Sequence, residues 1–354
     1  MQFSIKYRPT QFSEVAGQHV ANRILANSIL MGRVPNALVL FGLHGCGKTS
    51  LARIYAKALN CENFHGEPCC ECPSCVSIQA GTYPGVIEYD AASHSGVADA
   101  RDFEELLSYR SEAKKKVLIL DECHMLTKQA QSVLLKLIED PPDNSVFILV
   151  TTDLASLEPT VVSRCLKVDL RPIPVDDMRQ NLSNVLNAEG HTFTQGFMDR
   201  FVQYSNGSLR DAQQLLESIV LRSEGTLDEA LLEDTLDLIP TKLYQDLAGV
   251  LIKRDVKAFF NTIEGWYTSG VDLAHFFSDG VPRLLRDFML VLSGADNITY
   301  YSGISRKALE RNLSLTYEDV KSMLRQWEIH MDLMRDTPFP KIIWETYAVS
   351  ICDV

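Results

Sequence analysis

Short unbroken apolar runs, separated by stretches with helical spacing, mark the first half of the chain; the second half is helical throughout. Ala37–Phe41, Val86–Asp90, Val117–Leu120, Val146–Thr152 and Leu166–Leu170 are short enough to be buried strands. Between them, Leu51, Ile54, Tyr55 and Ala58 recur at helical spacing within Ser50–Leu59. Ala130, Val133, Leu134, Leu137 and Ile138 do the same within Thr127–Asp140, which Pro141-Pro142 must stop. Strands alternating with helices predict an α/β core: a parallel sheet with helices on both faces.

Beyond the core, a proline-punctuated hinge at Leu170–Pro174 and a break near Ser223–Gly225 divide the chain. Residues 1–174 are read as the core, 175–224 as a small lid of three short helices, and 225–354 as an all-helical domain. In the last, Leu227, Ala230, Leu231 and Leu238 are expected to form one buried face, with Phe259, Phe260, Trp266, Phe276 and Phe277 supplying bulk. That domain carries no chemical motif and reads as an oligomerisation module.

A chain of 354 residues is too long for one compact core, in keeping with two or three domains. Hydrophobic and charged contents of 46% and 23% describe a soluble globular protein. Neither an apolar leader after a basic start nor a run of eighteen apolar residues is present, so a cytoplasmic protein without membrane spans is expected. The net charge of −12 argues against non-specific coating of nucleic acid and favours a small-molecule or protein partner. DNA contact needs only a local basic face or exposed N–H groups.

The chemistry begins at Gly42-Leu43-His44-Gly45-Cys46-Gly47-Lys48-Thr49, a glycine-rich phosphate loop between a strand and a helix that Ser50 opens. Its backbone N–H groups and the positive end of the helix face phosphates. Lys48 would reach the β- and γ-phosphates, and the Thr49 hydroxyl would ligate magnesium. A nucleoside triphosphate is therefore the expected ligand. Downstream, Asp121 and Glu122 end an apolar strand, where such enzymes keep a magnesium-side carboxylate and a base that polarises the attacking water. Thr152 ends another strand, within reach of a γ-phosphate or that water. Gly42, Asp121 and Thr152 all fall at the carboxyl ends of strands, where ligands of such sheets collect.

Nine cysteines need a reason in a compartment where disulfides are rare. Cys46, Cys123, Cys165 and Cys352 are scattered and read as small apolar fillers. Cys69, Cys72 and Cys75 repeat as C-x-x-C-x-x-C, with Cys61 upstream. Four thiolates so spaced can close a structural tetrahedral zinc site, with Cys70 turned away. An iron–sulfur cluster and a set of free thiols are the competing readings.

Together these residues resemble the clamp-loader ATPases of the AAA+ class, most closely the gamma/tau subunits of bacterial DNA polymerase III. Lys6-Tyr7-Arg8-Pro9 with Phe12, Val15, Gly17 and Gln18 matches the family's opening, and the cysteine module at about 60–80 is its most discriminating trait. Asp90-Ala91-Ala92-Ser93, Asp121-Glu122-Cys123-His124-Met125-Leu126, Thr151-Thr152-Asp153, Ser163-Arg164-Cys165 and Gly207-Ser208-Leu209-Arg210-Asp211-Ala212 follow in the family's order.

The resemblance implies that Arg8, Pro9 and Val15 lie against the adenine, and that Gly42, Gly45, Gly47, Lys48, Thr49 and Ser50 hold ATP and magnesium. Asp121 and Glu122 become metal-side acid and catalytic base, and Thr152 the first phosphate sensor. Arg210 becomes the second sensor, from the lid, and Arg164 a finger reaching a neighbouring subunit's ATP. Cys61, Cys69, Cys72 and Cys75 become the zinc ligands. The implied function is an ATPase motor that opens a sliding clamp and loads it on primer-template DNA. Its implied partners are delta- and delta-prime-like subunits, copies of itself, and the clamp.

Ser93-His94-Ser95-Gly96 carries little positive charge where some relatives place Arg and Lys near DNA, so any contact there is expected from N–H groups at the start of a helix from Val97 and from small hydroxyls. Lys114-Lys115-Lys116 reads as a solvated turn. A chain ending at Val354, where the collar ends, is expected to lack the tail that binds helicase and polymerase. A hexameric helicase-type motor would share the phosphate loop and arginines but not this cysteine insertion. A non-catalytic scaffold would not need an intact Gly-Lys-Thr and Asp-Glu.

Overall fold

The computed structural model describes residues 2–93, 113–205, 207–223, 225–236, 238–295, 301–335 and 337–352. The expected DNA-side segment from His94, with its helix from Val97, and the break residue Glu224 lie outside them. By contacts the chain forms two compact units, Met1–Phe193 with Tyr204–Thr226, and Thr194–Gln203 with Leu227–Val354.

The first unit is built on five parallel strands: β1 (Ala37–Gly42), β2 (Val86–Asp90), β3 (Lys116–Asp121), β4 (Ser145–Thr151) and β5 (Leu166–Leu170). Their order is β2-β3-β4-β1-β5. The three middle strands are apolar on both faces, as a sheet covered on both sides requires. Alternate residues sort to opposite layers. Leu38, Leu40, Val117, Ile119, Ile148 and Val150 pack with helices α1 (His19–Leu30) and α2 (Lys48–Asn60) through Leu25, Leu51 and Tyr55. Val39, Leu118, Leu120, Phe147 and Leu149 pack with α3 (Lys128–Glu139) through Ala130, Leu134 and Leu137. Fully burying each such side chain contributes about 1.5–3 kcal/mol, so an Ile148→Ala change, which empties the sheet centre, should cost about 2–5 kcal/mol.

The helix ends follow from local chemistry. Thr127 Oγ1 accepts from Ala130 N at 3.2 Å to start α3, and Pro141-Pro142 follow its end. Helix α4 (Val175–Ala188) begins after Pro174, and α5 (Leu209–Val220) is capped by Ser208, whose hydroxyl accepts from Asp211 N. At β4 the strand stops one residue earlier than the apolar run suggests. Thr151 is fully buried; its Oγ1 donates to Asp153 O at 2.9 Å and accepts from Asp153 N at 3.0 Å, turning the chain there. Thr152 is left exposed beyond the strand.

The second unit is all helical, with α6 (Thr241–Lys253), α7 (Val256–Thr268), α8 (Val281–Ser293), α9 (Tyr317–Met334) and α10 (Pro340–Cys352) around an aromatic centre. Trp344 is fully buried there; its Nε1 donates to Leu273 O at 2.8 Å, and Trp266 and Phe277 lie 5.3 and 5.0 Å from it, ring to ring. The buried face expected from Leu227 onward is corrected. Leu227, Leu232 and Ile239 are buried, whereas Ala230 is exposed. The reason is that the helix starts only at Glu229, after the Asp228 cap, so its inward stripe is shifted. Helix Gln195–Gln203, read from sequence with the lid, groups with this unit because buried Arg200 pairs with Glu233 and donates to Ile239 O at 3.0 Å.

Candidate functional site

Two glycines set the shape of the loop between β1 and α2. A Cβ on Gly42 would sit 2.1 Å from Leu170 O of β5. At Gly45, with φ +72°, a Cβ would sit 1.9 Å from Ser208 Oγ. Only residues without a side chain fit at such approaches. Leu209 N donates to Gly45 O at 3.2 Å, so the start of α5 rests directly on the loop.

Lys48 opens α2 and is 6% exposed. Its Nζ donates to Gly42 O at 3.0 Å and Leu43 O at 2.8 Å. Thr49 Oγ1 donates to Asp121 Oδ2 at 2.8 Å, joining the loop to the end of β3. Asp121 Oδ1 accepts from Glu122 N at 3.0 Å. Glu122 is held in the left-handed region at φ 49°, a conformation costing roughly 1–2 kcal/mol. Its Oε2 is buried, without a hydrogen bond among the described residues, 3.4 Å from His124 Nδ1. That nitrogen also lies 3.2 Å from Thr151 Oγ1. Because the Thr151 hydroxyl already gives its hydrogen to Asp153 O, the network assigns the proton to Nδ1 of His124.

Arg8, Pro9, Gly45, Gly47, Lys48, Thr49, Ser50, Asp121, Glu122 and Arg210 line one cleft. Burial first, then the neighbouring Arg53, and further Arg210, lower the Arg8 guanidinium below its ordinary value; Glu88 opposes this. Arg53 is itself neutralised by Glu88, at 2.6 and 2.5 Å. Among the described residues neither Arg8 nor Arg210 forms an ion pair, so with Lys48 they make a cleft suited to an anion.

The other expected residues stand elsewhere. Gly42 belongs to the end of β1, and Val15 is buried behind the loop, its Cγ1 3.4 Å from where a Cβ on Gly47 would lie. Thr152 does not line the cleft. Arg164 is exposed, pairs with Glu139 Oε1 at 2.5 Å and donates to Thr160 O at 3.0 Å. His124, within the Asp121–Leu126 match, supports the cleft without lining it, whereas Asn181 and Gln213 line it and carry no motif, the last donating to Asn181 Oδ1 at 3.1 Å between α5 and α4. Only the polar residues at apolar-face positions of those helices could have signalled the last two.

Cys61, Cys69, Cys72 and Cys75 bring their sulfurs within 4.8 Å of one another, forming a four-cysteine metal site. Backbone N–H groups of Cys69, Cys72 and Cys75 point at Cys61, Cys69 and Cys72 Sγ, at 3.3, 3.4 and 3.5 Å. Backbone hydrogen bonds from Glu71 and then Cys72 bring the Cys69 thiol down to about 6. Burial pushes Cys61 and Cys75 up, an effect that a bound cation reverses. Such a compact set fits a single tetrahedral ion, whose thiolate bonds of about 2.3 Å need closely gathered sulfurs. Cys70, at φ 61°, stands outside the set; its Sγ accepts from Lys57 Nζ at 3.3 Å. Of the remaining cysteines, Cys46 and Cys123 are fully buried; Cys165 and Cys352 are partly buried.

No helix among the described residues is long and apolar enough to cross a membrane. Residues 17–174 match the family profile described as DNA polymerase III, delta subunit. The chain is 36% identical over 258 residues to DNA polymerase III subunit gamma of Buchnera aphidicola, covering 71% of this chain and 69% of that one. It is 31% identical over 354 residues to DNA polymerase III subunit tau of Bacillus subtilis, covering 98% of this chain and 62% of that one. Among solved structures, the RuvB Holliday junction branch migration motor of Thermotoga maritima aligns at 19% identity and a TM-score of 0.49, covering 75% of this chain and 86% of that one.

Proposed function

We propose, because the chain belongs to the DNA polymerase III gamma/tau clamp-loader family, that it is an ATP-hydrolysing motor subunit of such a loader. The observation that carries this reading is the single cleft shared by Lys48, Thr49, Asp121, Glu122, Arg8 and Arg210. A non-catalytic scaffold would have no use for that convergence.

In this reading ATP enters with its adenine beside Arg8 and Pro9 and its phosphates along Gly45–Ser50. Lys48 exchanges its two carbonyl partners for phosphate oxygens. Thr49 and Asp121 are the residues that hold magnesium, which supplies charge neutralisation at the β- and γ-phosphates. Glu122 orients the attacking water and takes its proton. Arg210 contacts the γ-phosphate from α5, and Thr152 is assigned the first sensor role on the family pattern. Arg164 faces outward and reaches the ATP of an adjoining subunit, which makes turnover depend on assembly. The four cysteines hold zinc in a closed, structural site.

The partners are other clamp-loader subunits of the delta and delta-prime kinds, further copies of this chain, the sliding clamp and primer-template DNA. ATP orders the subunit junctions so that the assembly grips clamp and DNA; hydrolysis removes the γ-phosphate contact and releases both. The test is phosphate release by the chain assembled with its candidate partners. Turnover is expected to rise with clamp and primed DNA together. Turnover indifferent to both would exclude this reading.

A further inference from the structure

The four-cysteine module is joined to the nucleotide cleft by a carboxylate. Glu67 sits in the loop between Cys61 and Cys69, two residues from the second of these ligands. Its Oε2 accepts from Phe12 N at 2.7 Å and its Oε1 from Ser13 N at 2.9 Å. These N–H groups open the short turn Phe12–Glu14 and, at the start of a helical turn, have no partner of their own in it. Next to Glu67, Pro68 O accepts from Gln11 Nε2 at 3.1 Å. From the other side, Asn22 Nδ2 of α1 donates to Phe12 O at 2.6 Å.

The turn leads straight into the cleft. Glu14 and Ala16 line it together with Arg8 and Pro9, and Val15 packs behind Gly47. Charge-assisted hydrogen bonds of this kind are the stronger sort, and both oxygens of one carboxylate are committed here. The loop that bears Glu67 has neither helix nor strand to hold it; Cys61 and Cys69 close its two ends.

We propose that Glu67 is a positioning residue through which the four-cysteine metal site fixes the Phe12–Glu14 turn, so that an intact metal site is needed for tight nucleotide binding. The metal module then serves the cleft beyond holding its own loop together. This rests on the nucleotide-binding reading of the cleft.

The experiment uses the full chain with magnesium, a fluorescent ATP analogue to measure Kd, and metal content per chain. Glu67→Ala is expected to keep its metal and its thermal transition but bind the analogue about ten-fold more weakly, the loss expected of two charge-assisted bonds acting indirectly. Glu67→Gln, which keeps one acceptor oxygen, should fall between, and carries the test if the alanine variant fails to fold. Stripping metal with a chelator should weaken the wild type by the same factor and weaken Glu67→Ala little further. Metal-loaded variants that bind like wild type, or chelation effects that are equal with and without Glu67, overturn the coupling. Lys48→Ala serves as the control: if it also binds normally, the nucleotide reading of the cleft has failed instead.

Discussion

His124 Nδ1 lies 3.4 Å from Glu122 Oε2, a buried carboxylate oxygen with no hydrogen bond among the described residues. The same nitrogen is within 3.2 Å of Thr151 Oγ1, so one imidazole stands between the end of β3 and the end of β4. It limits where the Glu122 carboxylate can swing. His124→Ala is therefore expected to leave ATP affinity within about two-fold while lowering assembled turnover by about 10- to 100-fold, as small misplacements of a catalytic group do. Parallel nucleotide titrations and phosphate-release rates check this; an unchanged kcat would remove His124 from the mechanism.

Lys48→Ala should abolish ATP binding. The ammonium is nearly enclosed at the base of the loop and, on the proposed function, is the cation that reaches the phosphates. Calorimetric titration with ATP and magnesium reads the outcome directly, and retention of wild-type affinity contradicts the assignment of the loop.

Arg164→Ala should behave differently. Its side chain is directed to Glu139 and away from its own cleft, so the isolated chain should bind ATP as before. Turnover of the assembled complex should fall about 10³-fold or more, the contribution of arginine fingers elsewhere. Undiminished turnover in the variant assembly would refute the role in trans.

Gly45→Ala tests the seat of α5 on the loop. The added methyl would meet Ser208 Oγ, and φ +72° disfavours any side chain. A loss of about 1–3 kcal/mol is expected from strain of this size, seen as a lowered thermal midpoint. Combining it with Ser208→Gly should recover the steric part and leave the backbone part. A Gly45→Ala chain as stable as wild type would show that α5 is free to lift.

A pH dependence follows from Glu189. Hydrogen bonds from Lys6 Nζ at 2.6 Å and Tyr7 Oη at 2.5 Å hold its carboxyl below the ordinary carboxylate range. A depressed folded-state value means that its contribution is present above the unfolded carboxylate pKa of about 4.3 and disappears as pH falls through the folded value. Melting curves from pH 7 down to pH 3 should therefore show a shallower acid decline in Glu189→Gln than in wild type. Parallel declines would mean the contact contributes nothing measurable.

Much of this was legible in the chain itself. Loop glycines, Lys48, Thr49, Asp121 and Glu122 are adjacent in sequence to the strand ends that present them, so local pattern suffices. The cysteine ligands are readable because metal geometry restricts spacing. The apolar run continues through Thr152, yet β4 ends at Thr151, because the turn is made by the hydroxyl of Thr151, a hydrogen-bond choice that hydropathy does not encode. The stripe from Leu227 slipped because the Asp228 cap sets where the helix begins. Glu67 and Gln213 act across 55 and 32 residues, and His124 reaches Thr151 across 27, so no local window contains both ends of these contacts. Arg200 likewise ties Gln195–Gln203 to the helical unit through partners 33 and 39 positions away.

The ammonium of Lys48 is bonded to two carbonyls of its own loop. On the proposed function a triphosphate must compete with these two carbonyl oxygens, so its net affinity is a difference between two sets of bonds. Stray inorganic anions, too small to engage the adenine-side residues as well, gain little by displacing them. On that reading the loop's own hydrogen bonds bias it against small anions and towards a whole nucleotide.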